Sequence, residues 1–141
     1  MSFGDPTDLP VAEFAFPGPL RNKLVTAILA GTKTATAGLL AEYRESEPLP
    51  KVGDRSTVVD SQERPVAVIE TTEVRLIRAA EVDLQFALDE GEGFSSVADW
   101  RTAHERFWHS AEMRALLDEP EFSVTDETRI VAERFRLVER L

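Results

Sequence analysis

A lone lysine among threonines lies in the segment from Gly31 to Thr36, which reads GTKTAT. Threonine hydroxyls and an ammonium group are hydrogen-bond donors, and a desolvated lysine can act as a base or a nucleophile. A threonine-rich strand with a solvated lysine is the competing interpretation, because threonine is an ordinary strand residue. Lys33 and Thr36 would face opposite sides of a regular strand, so they share a pocket only if the backbone bends between them. The segment therefore predicts a site and a bend.

A carboxylate stands in a mostly apolar row of a predicted strand. Glu70 alternates with Val66, Val68 and Val74 along residues 65–76. A buried carboxyl group has a raised pKa and needs a partner, and this is how proteins prepare a general acid or base. The opposite face is also partly apolar, and a carboxylate neutralised by an arginine at a sheet rim is the alternative. Glu70 is thus a candidate acid or base.

An aromatic stripe follows one face of a predicted helix over residues 96–117. His104 lies between Trp100 and Trp108 at helical spacing, and Arg101 lies within one turn of it. A histidine in such a stripe can be a hydrogen-bonded core residue. Aromatic rings with an arginine can also stack a nucleobase. Both interpretations remain open at this stage.

Several kinds of site are disfavoured by spacing. His104 and His109 are five residues apart, about 140° around a helix, so they cannot chelate zinc as an i, i+4 pair does. The sequence has no phosphate-binding loop, no nucleophile elbow and no dinucleotide fingerprint, so we expect no metal and no cofactor. The acidic run from Glu81 to Glu92 is interpreted as a solvated helix face.

Composition sets the class of protein. The 141 residues are 43% apolar, enough for one domain with its own core, and contain no cysteine, which favours the cytoplasm. The formal charge is −10, from 16 basic and 26 acidic residues, and this argues against a protein that coats DNA or other nucleic acid. A local basic pocket remains compatible with that charge. We expect neither a signal peptide nor a membrane span.

The elements that position these residues follow from periodicity and from glycine and proline. We predict an extended lead segment over residues 1–18, a helix from Pro19 ended by Gly31, and a short helix over 39–45. A hairpin of strands over 55–60 and 65–76 follows, and then helices over 81–89 and 96–117 and a strand over 129–138. This order indicates an α+β class with a mainly antiparallel sheet or small barrel. Residues 19–141 are predicted to be a single domain.

Six blocks in order resemble the ASCH domain, a small barrel related to PUA domains. GTKTAT fits its G-x-K-x-x-T signature, and five further blocks follow: LPKVGD at 49–54, VIETTEV at 68–74, DEGEG at 89–93, WRTAHERFW at 100–108 and ERF at 133–135. The resemblance covers nearly the whole chain, from Phe16 to Val138. It implies a PUA-like antiparallel β-barrel with peripheral helices and a cleft lined by the signature lysine.

The resemblance also implies a function directed at RNA or nucleosides. Members are associated with RNA binding, with ribonuclease activity and, in a smaller subgroup, with hydrolysis of N4-acylated cytidine by a Lys, Thr and Glu set. The matching positions here are Lys33, Thr36 and Glu70. This chain is longer than that subgroup and carries the added WRTAHERFW helix.

Two hydrolytic mechanisms and two competitors follow. In amide hydrolysis, Lys33 would take the proton of Thr36, which attacks the carbonyl, and Glu70 would protonate the leaving amine. In RNA cleavage, Lys33 and Glu70 would transfer protons while Arg101 or Arg134 stabilises the phosphorane. The competitors are a non-catalytic RNA- or nucleotide-binding module and a protein-interaction domain that uses its acidic faces. Further substrate contacts are expected from a set of polar and aromatic side chains: Thr34, Asp60, Trp100, Arg101, His104 and Arg134.

Overall fold

Five strands form a mostly antiparallel sheet in the computed structural model, which describes residues 8–141. The strands are β1 (Val11–Ala12), β2 (Ala35–Leu39), β3 (Arg55–Val59), β4 (Pro65–Arg78) and β5 (Arg129–Arg140). Their order across the sheet is β1-β3-β4-β5-β2, and within these described residues only the β1–β3 pair is parallel. The predicted α+β class is confirmed. A closed barrel is not confirmed, because β1 and β2 end the sheet without pairing with each other in the described part of the chain.

In the described part of the chain, four helices cover the two faces of the sheet: α1 (Pro19–Ala30), α2 (Leu84–Asp89), α3 (Val97–Trp108) and α4 (Ala111–Leu117). Helix α1 begins and ends as predicted, since Pro19 occupies its first turn and Gly31 caps it in the left-handed conformation at φ 81°. None of the helices within residues 8–141 is long and apolar enough to cross a membrane.

Two apolar cores lie on opposite faces of β5. Phe135 packs with Phe14 and with the buried side of α1, while Ala132 packs with Trp100 and other residues of α2, α3 and α4. Residues three apart in a strand face opposite sides, so the two cores are separated by the sheet. Strand β5 therefore connects the α1 layer to the α2–α4 layer.

The predicted continuous helix over 96–117 is wrong, because the chain leaves the helix at His109 and Ser110. The hydroxyl of Ser110 accepts the Met113 N–H at 3.2 Å and starts α4 as an N-cap. Nε2 of His109 accepts the Val124 N–H at 2.9 Å, which ties the break to the following loop. Side-chain hydrogen bonds thus replace the helical ones at this point.

Other predicted boundaries also shift. The helix expected over 39–45 is reduced to a 3-10 turn at Leu40–Glu42, where the Glu42 carboxylate accepts the Leu39 N–H at 2.8 Å. In the expected helix over 81–89, Asp83 caps α2, which begins at Leu84. Part of the expected lead segment forms β1, and residues 1–7 of that segment lie outside the described residues.

Candidate functional site

Two loops meet beside the α2–α4 layer: residues 31–34, which follow α1, and residues 90–93, which follow α2. The Thr34 N–H donates to the Asp89 carbonyl at 2.8 Å. Gly91 has φ 68°, and a Cβ placed on it would lie 2.4 Å from the Thr32 carbonyl oxygen. Only glycine permits both the conformation and this approach. The contact holds Lys33 against Glu90.

The ammonium group of Lys33 is buried at this junction, with 2% of the residue exposed. It donates to the backbone oxygens of Ala35 at 2.8 Å and Glu90 at 3.2 Å. Two carboxylates complete its surroundings, with Oε2 of Glu92 at 3.5 Å and Oε1 of Glu90 at 4.0 Å. The Phe14 ring centroid lies 5.9 Å away. The ammonium therefore has two hydrogen bonds to backbone oxygens and two carboxylates within 4.0 Å.

Helix α3 supplies the other side of this cluster. The indole N–H of Trp100 donates to Oε2 of Glu90, and Nε2 of His104 lies 3.2 Å from the same oxygen. The two rings stack with centroids 4.3 Å apart, and Trp108 meets His104 edge-on at 5.1 Å. Oε1 of Glu90 is the one buried side-chain N or O atom without a hydrogen-bond partner among residues 8–141. Glu90 thus connects the α3 rings to Lys33.

Opposing effects act on the imidazole of His104. Burial is the largest and lowers its pKa, but the hydrogen bond to Glu90 and the charges of Glu90 and Glu92 together outweigh it, so the pKa of His104 is raised. With His104 protonated, the cluster holds two positive charges, on Lys33 and His104, and two negative charges, on Glu90 and Glu92. The charged groups then balance.

The same side chains have the composition of a metal site. Glu90, Glu92 and His104 offer ligand atoms within 4.8 Å of one another. The Lys33 ammonium already contacts both carboxylates, and Nε2 of His104 faces a carboxylate oxygen instead of an open position. The two carboxylates thus already face a cation of the chain itself, the Lys33 ammonium. We therefore do not assign these residues as metal ligands.

Glu70 does not belong to the Lys33 cluster. It is hydrogen-bonded to Arg55 at 2.9 Å and to Arg136 at 3.2 Å across neighbouring strands. These two hydrogen bonds hold the pKa of the Glu70 carboxyl below its usual range. The expectation of a buried carboxyl with a raised pKa is wrong, and the alternative of an arginine-neutralised carboxylate describes this residue.

Strand register separates Thr36 from Glu70. Thr36 pairs with Glu133 of β5, and Glu70 pairs with Arg136. Paired residues share a face and residues three apart do not, so Thr36 and Glu70 project from opposite faces of the sheet. Strand β2 begins at Ala35, after Lys33, and Thr36 is not a hydrogen-bond partner of the Lys33 ammonium. The bend expected between the two residues stays a prediction.

A second polar cluster shares the face of Thr36. Thr71 donates to Oε2 of Glu133 at 2.7 Å. Burial is the main cause that raises the pKa of Glu133, and the charge of Asp54 adds to it. Burial, with the carboxylates of Glu133, Glu42 and Glu47, raises the pKa of Tyr43 to about 12. This face of the sheet is therefore acidic, and Glu133 is its desolvated carboxyl group.

The remaining expected site residues are divided among different places. Thr34 is exposed beside Asp89, to which Arg134 is also paired. Arg101 pairs with Glu105 and Asp126, each at 3.2 Å, and does not reach the cluster. Asp60 caps the β3–β4 turn, and its carbonyl binds Arg21 at the start of α1. Lys33 follows the end of this helix, so Asp60 and Lys33 lie at opposite ends of it.

Glu90 and Glu92 are the site residues that sequence reasoning missed. Both belong to the acidic run that was interpreted as a solvated helix face, yet Glu90 is 1% exposed. Helix α2 ends at Asp89, and Gly91 and Gly93 both have positive φ, so these acids lie on a loop. The alternation of acids with glycines in DEGEG was the available indication, because glycines at this spacing favour a turn over a helix.

Comparisons with known proteins give a consistent result. The family model for the ASCH domain matches residues 13–139. A solved structure from Enterococcus faecalis, of family DUF984, has 29% identity and a TM-score of 0.80, over 93% of this chain and 77% of that chain. The ASCH domain from Lactobacillus crispatus has 27% identity and a TM-score of 0.74, over 91% and 79% of the two chains. No curated protein matches the chain.

Proposed function

Because the chain belongs to the ASCH domain family, we propose that it is a metal-independent hydrolase of RNA or a modified nucleoside, centred on Lys33. The observation that carries this proposal is the burial of the Lys33 ammonium between Glu90 and Glu92, beside the His104 ring. Removing four ionisable groups from water costs free energy, and such clusters concentrate at functional sites.

The chemistry follows from how exposed each group is. The side chain of Glu92 is 13% exposed, against 1% for Lys33 and Glu90, so Glu92 is the carboxylate nearest to solvent. In amide hydrolysis, Glu92 takes a proton from the attacking water and gives it to the leaving amine nitrogen, while a C–O bond forms and the C–N bond breaks. The Lys33 ammonium stabilises the oxyanion that develops between these steps.

Thr36 and Glu70 have a weaker place in this proposal. Their catalytic roles require both side chains to reach the Lys33 amine, yet they project from opposite faces of the sheet. The variants Thr36→Ala and Glu70→Gln therefore separate a mechanism that uses Thr36 and Glu70 from one that uses Glu92. If Glu92→Gln abolishes turnover and Glu70→Gln does not, the carboxylate is supplied by the DEGEG loop.

The decisive experiment is product formation by the full chain. The protein is incubated with single-stranded RNA and with N4-acylated cytidine, and the products are identified by mass spectrometry. We expect Lys33→Ala to reduce turnover by roughly 100-fold or more, the usual effect of removing one group that stabilises an oxyanion. Lys51→Ala is the matched control, because Lys51 is exposed and does not take part in the contacts of this cluster.

Two outcomes count against the hydrolase. Turnover that survives Lys33→Ala in a folded protein removes Lys33 from the mechanism. No product from either substrate at any protein concentration, with Lys33 intact, removes the activity on these substrates. Circular dichroism of each variant separates loss of chemistry from loss of fold.

The second candidate is a non-catalytic RNA- or nucleotide-binding module. The observation in its favour is the burial of Lys33, whose side chain is 1% exposed and whose ammonium donates to two backbone oxygens of the chain itself. This reading predicts saturable binding of RNA without product, and a protein-interaction domain predicts no nucleotide binding at all.

The proposal also includes the finer architecture. We take residues 19–141 as one domain after a lead segment at 1–18, and the sheet as an opened form of a PUA-like barrel. RNA or a nucleoside as substrate fits a cytoplasmic location, and the charge of −10 argues for a local contact and against extended binding of a nucleic-acid backbone.

A further inference from the structure

The imidazole of His104 has a hydrogen-bond acceptor in front of each nitrogen. Nδ1 lies 2.9 Å from the backbone oxygen of Trp100, and Nε2 lies 3.2 Å from Oε2 of Glu90. A carbonyl oxygen only accepts hydrogen bonds, so Nδ1 carries a hydrogen. Nε2 carries a second hydrogen when Glu90 is ionised, because a carboxylate also only accepts. The geometry then requires the imidazolium.

Glu90 has the surroundings of an ionised carboxylate. Its Oε2 faces two N–H groups, from Trp100 and His104. Its Oε1 has no hydrogen-bond donor, and the Lys33 ammonium lies 4.0 Å away. Donors on one oxygen and a cation near the other favour the charged form.

We propose that His104 is a positioning residue, an imidazolium that orients the Glu90 carboxylate so that Glu90 and Glu92 together hold Lys33. Lys33 alone would face two carboxylates and leave one negative charge in the interior, and His104 supplies the balancing charge. This inference rests on the proposed function only in calling Lys33 the centre, since the geometry that carries it is independent of any substrate.

The charged groups that face the ring are few. Glu90 and Glu92 approach from the loop after α2, and Lys33 lies behind them on the loop after α1. On the helix of His104 itself, Arg101 is paired with acids elsewhere. The other neighbours of the ring are aromatic, namely Phe94, Trp100 and Trp108. The Glu90 carboxylate is therefore the direct partner of the imidazolium.

Nitrogen-15 NMR of the full chain tests the protonation state directly, because the chain has only two histidines. His109 is an internal reference: its Nε2 accepts the Val124 N–H, so this nitrogen carries no hydrogen. At pH 7 we expect two protonated ring nitrogens for His104 and one for His109, with His109→Gln assigning the signals. An unprotonated nitrogen on His104 would overturn the proposal, and this result needs no variant of His104.

Acylation of lysine side chains tests the positioning. In wild-type protein, Lys33 should react far more slowly than the exposed Lys51, which reports reagent activity in the same sample. His104→Gln keeps an N–H donor but no charge, so we expect the ratio of Lys33 to Lys51 labelling to rise about tenfold or more. An unchanged ratio in a folded His104→Gln protein would show that Glu90 holds Lys33 without His104.

The two proposals fail separately. A hydrolase that loses activity on Lys33→Ala but shows a neutral His104 keeps the proposed function and refutes the positioning role. A protein with no activity on any nucleic acid substrate, but with an imidazolium at His104 and Lys33 labelling that depends on His104, refutes the proposed function and keeps the positioning role.

Discussion

Alanine at Gly91 should push the two site loops apart. The new Cβ would lie 2.4 Å from the Thr32 carbonyl oxygen and 2.7 Å from Cα of Lys33, and both neighbours are backbone atoms that cannot rotate away. Gly93 is the matched control, since its φ of 87° resembles the 68° of Gly91 but a Cβ there meets nothing within 4 Å. Both changes carry the cost of a left-handed residue, about 1–2 kcal/mol. Only Gly91→Ala adds overpacking, about 1–3 kcal/mol.

Urea denaturation of the two variants measures this difference. We expect Gly91→Ala to lower the free energy of unfolding by about 1–3 kcal/mol more than Gly93→Ala. The melting temperature should then differ by roughly 3–12 °C for a chain of this size. Lys33 should also become more reactive toward acylation in Gly91→Ala alone. Equal stabilities, or equal Lys33 labelling, would refute the close contact between the loops.

Other predictions address the charged groups. Lys33→Met removes the cation between the buried Glu90 and the part-exposed Glu92, and we expect the free energy of unfolding at pH 7 to fall by about 3–5 kcal/mol in urea denaturation. A loss below about 1 kcal/mol would contradict the ion pairs. The pKa of His104 is raised in the folded protein, so the imidazolium stabilises the fold fully below the pKa of an unfolded histidine, near 6.5, and this stabilisation is lost as the pH rises through the folded pKa. The free energy of unfolding, measured from about pH 6 upward, should therefore show a fall in wild type that is absent in His104→Gln. Tyr43 is the only tyrosine, and absorbance titration should show ionisation at about pH 12, whereas a midpoint near 10 in a chain that retains its circular dichroism would be inconsistent with its burial. A metal chelator should leave any hydrolytic turnover unchanged. If the chelator abolished turnover and added metal restored it, the proposed metal-independent mechanism at Lys33 would be refuted.

The sequence predicted helices and strands that depend on local signals better than features that depend on tertiary contacts. Helix α1, the β3–β4 hairpin and β5 were found because local periodicity and the residues Pro19 and Gly31 act over a few positions. The break between α3 and α4 was missed because it depends on Ser110 as a cap and on His109 contacting Val124, and the second contact is not local.

The candidate site was predicted in half. Lys33 was identified from its signature, and it is the residue around which the charged groups gather. Glu70 was chosen as its partner because alternation along one strand suggested burial, but alternation cannot reveal Arg55 and Arg136 on the two adjacent strands. Glu90 lies 57 residues from Lys33 along the chain, so only tertiary packing brings the two together.

The position of β5 between β4 and β2 has a consequence for how the chain folds. Among residues 8–141, strand β2 has no sheet neighbour except β5, and β5 begins at residue 129. At about 5–20 residues synthesised per second, several seconds therefore pass between the synthesis of β2 and that of β5, its hydrogen-bonding partner. Pairing across so many residues also raises contact order and slows folding. Until then the backbone N–H and C=O groups of β2 are unpaired and open to other chains, so a chaperone that binds extended segments would act in this period.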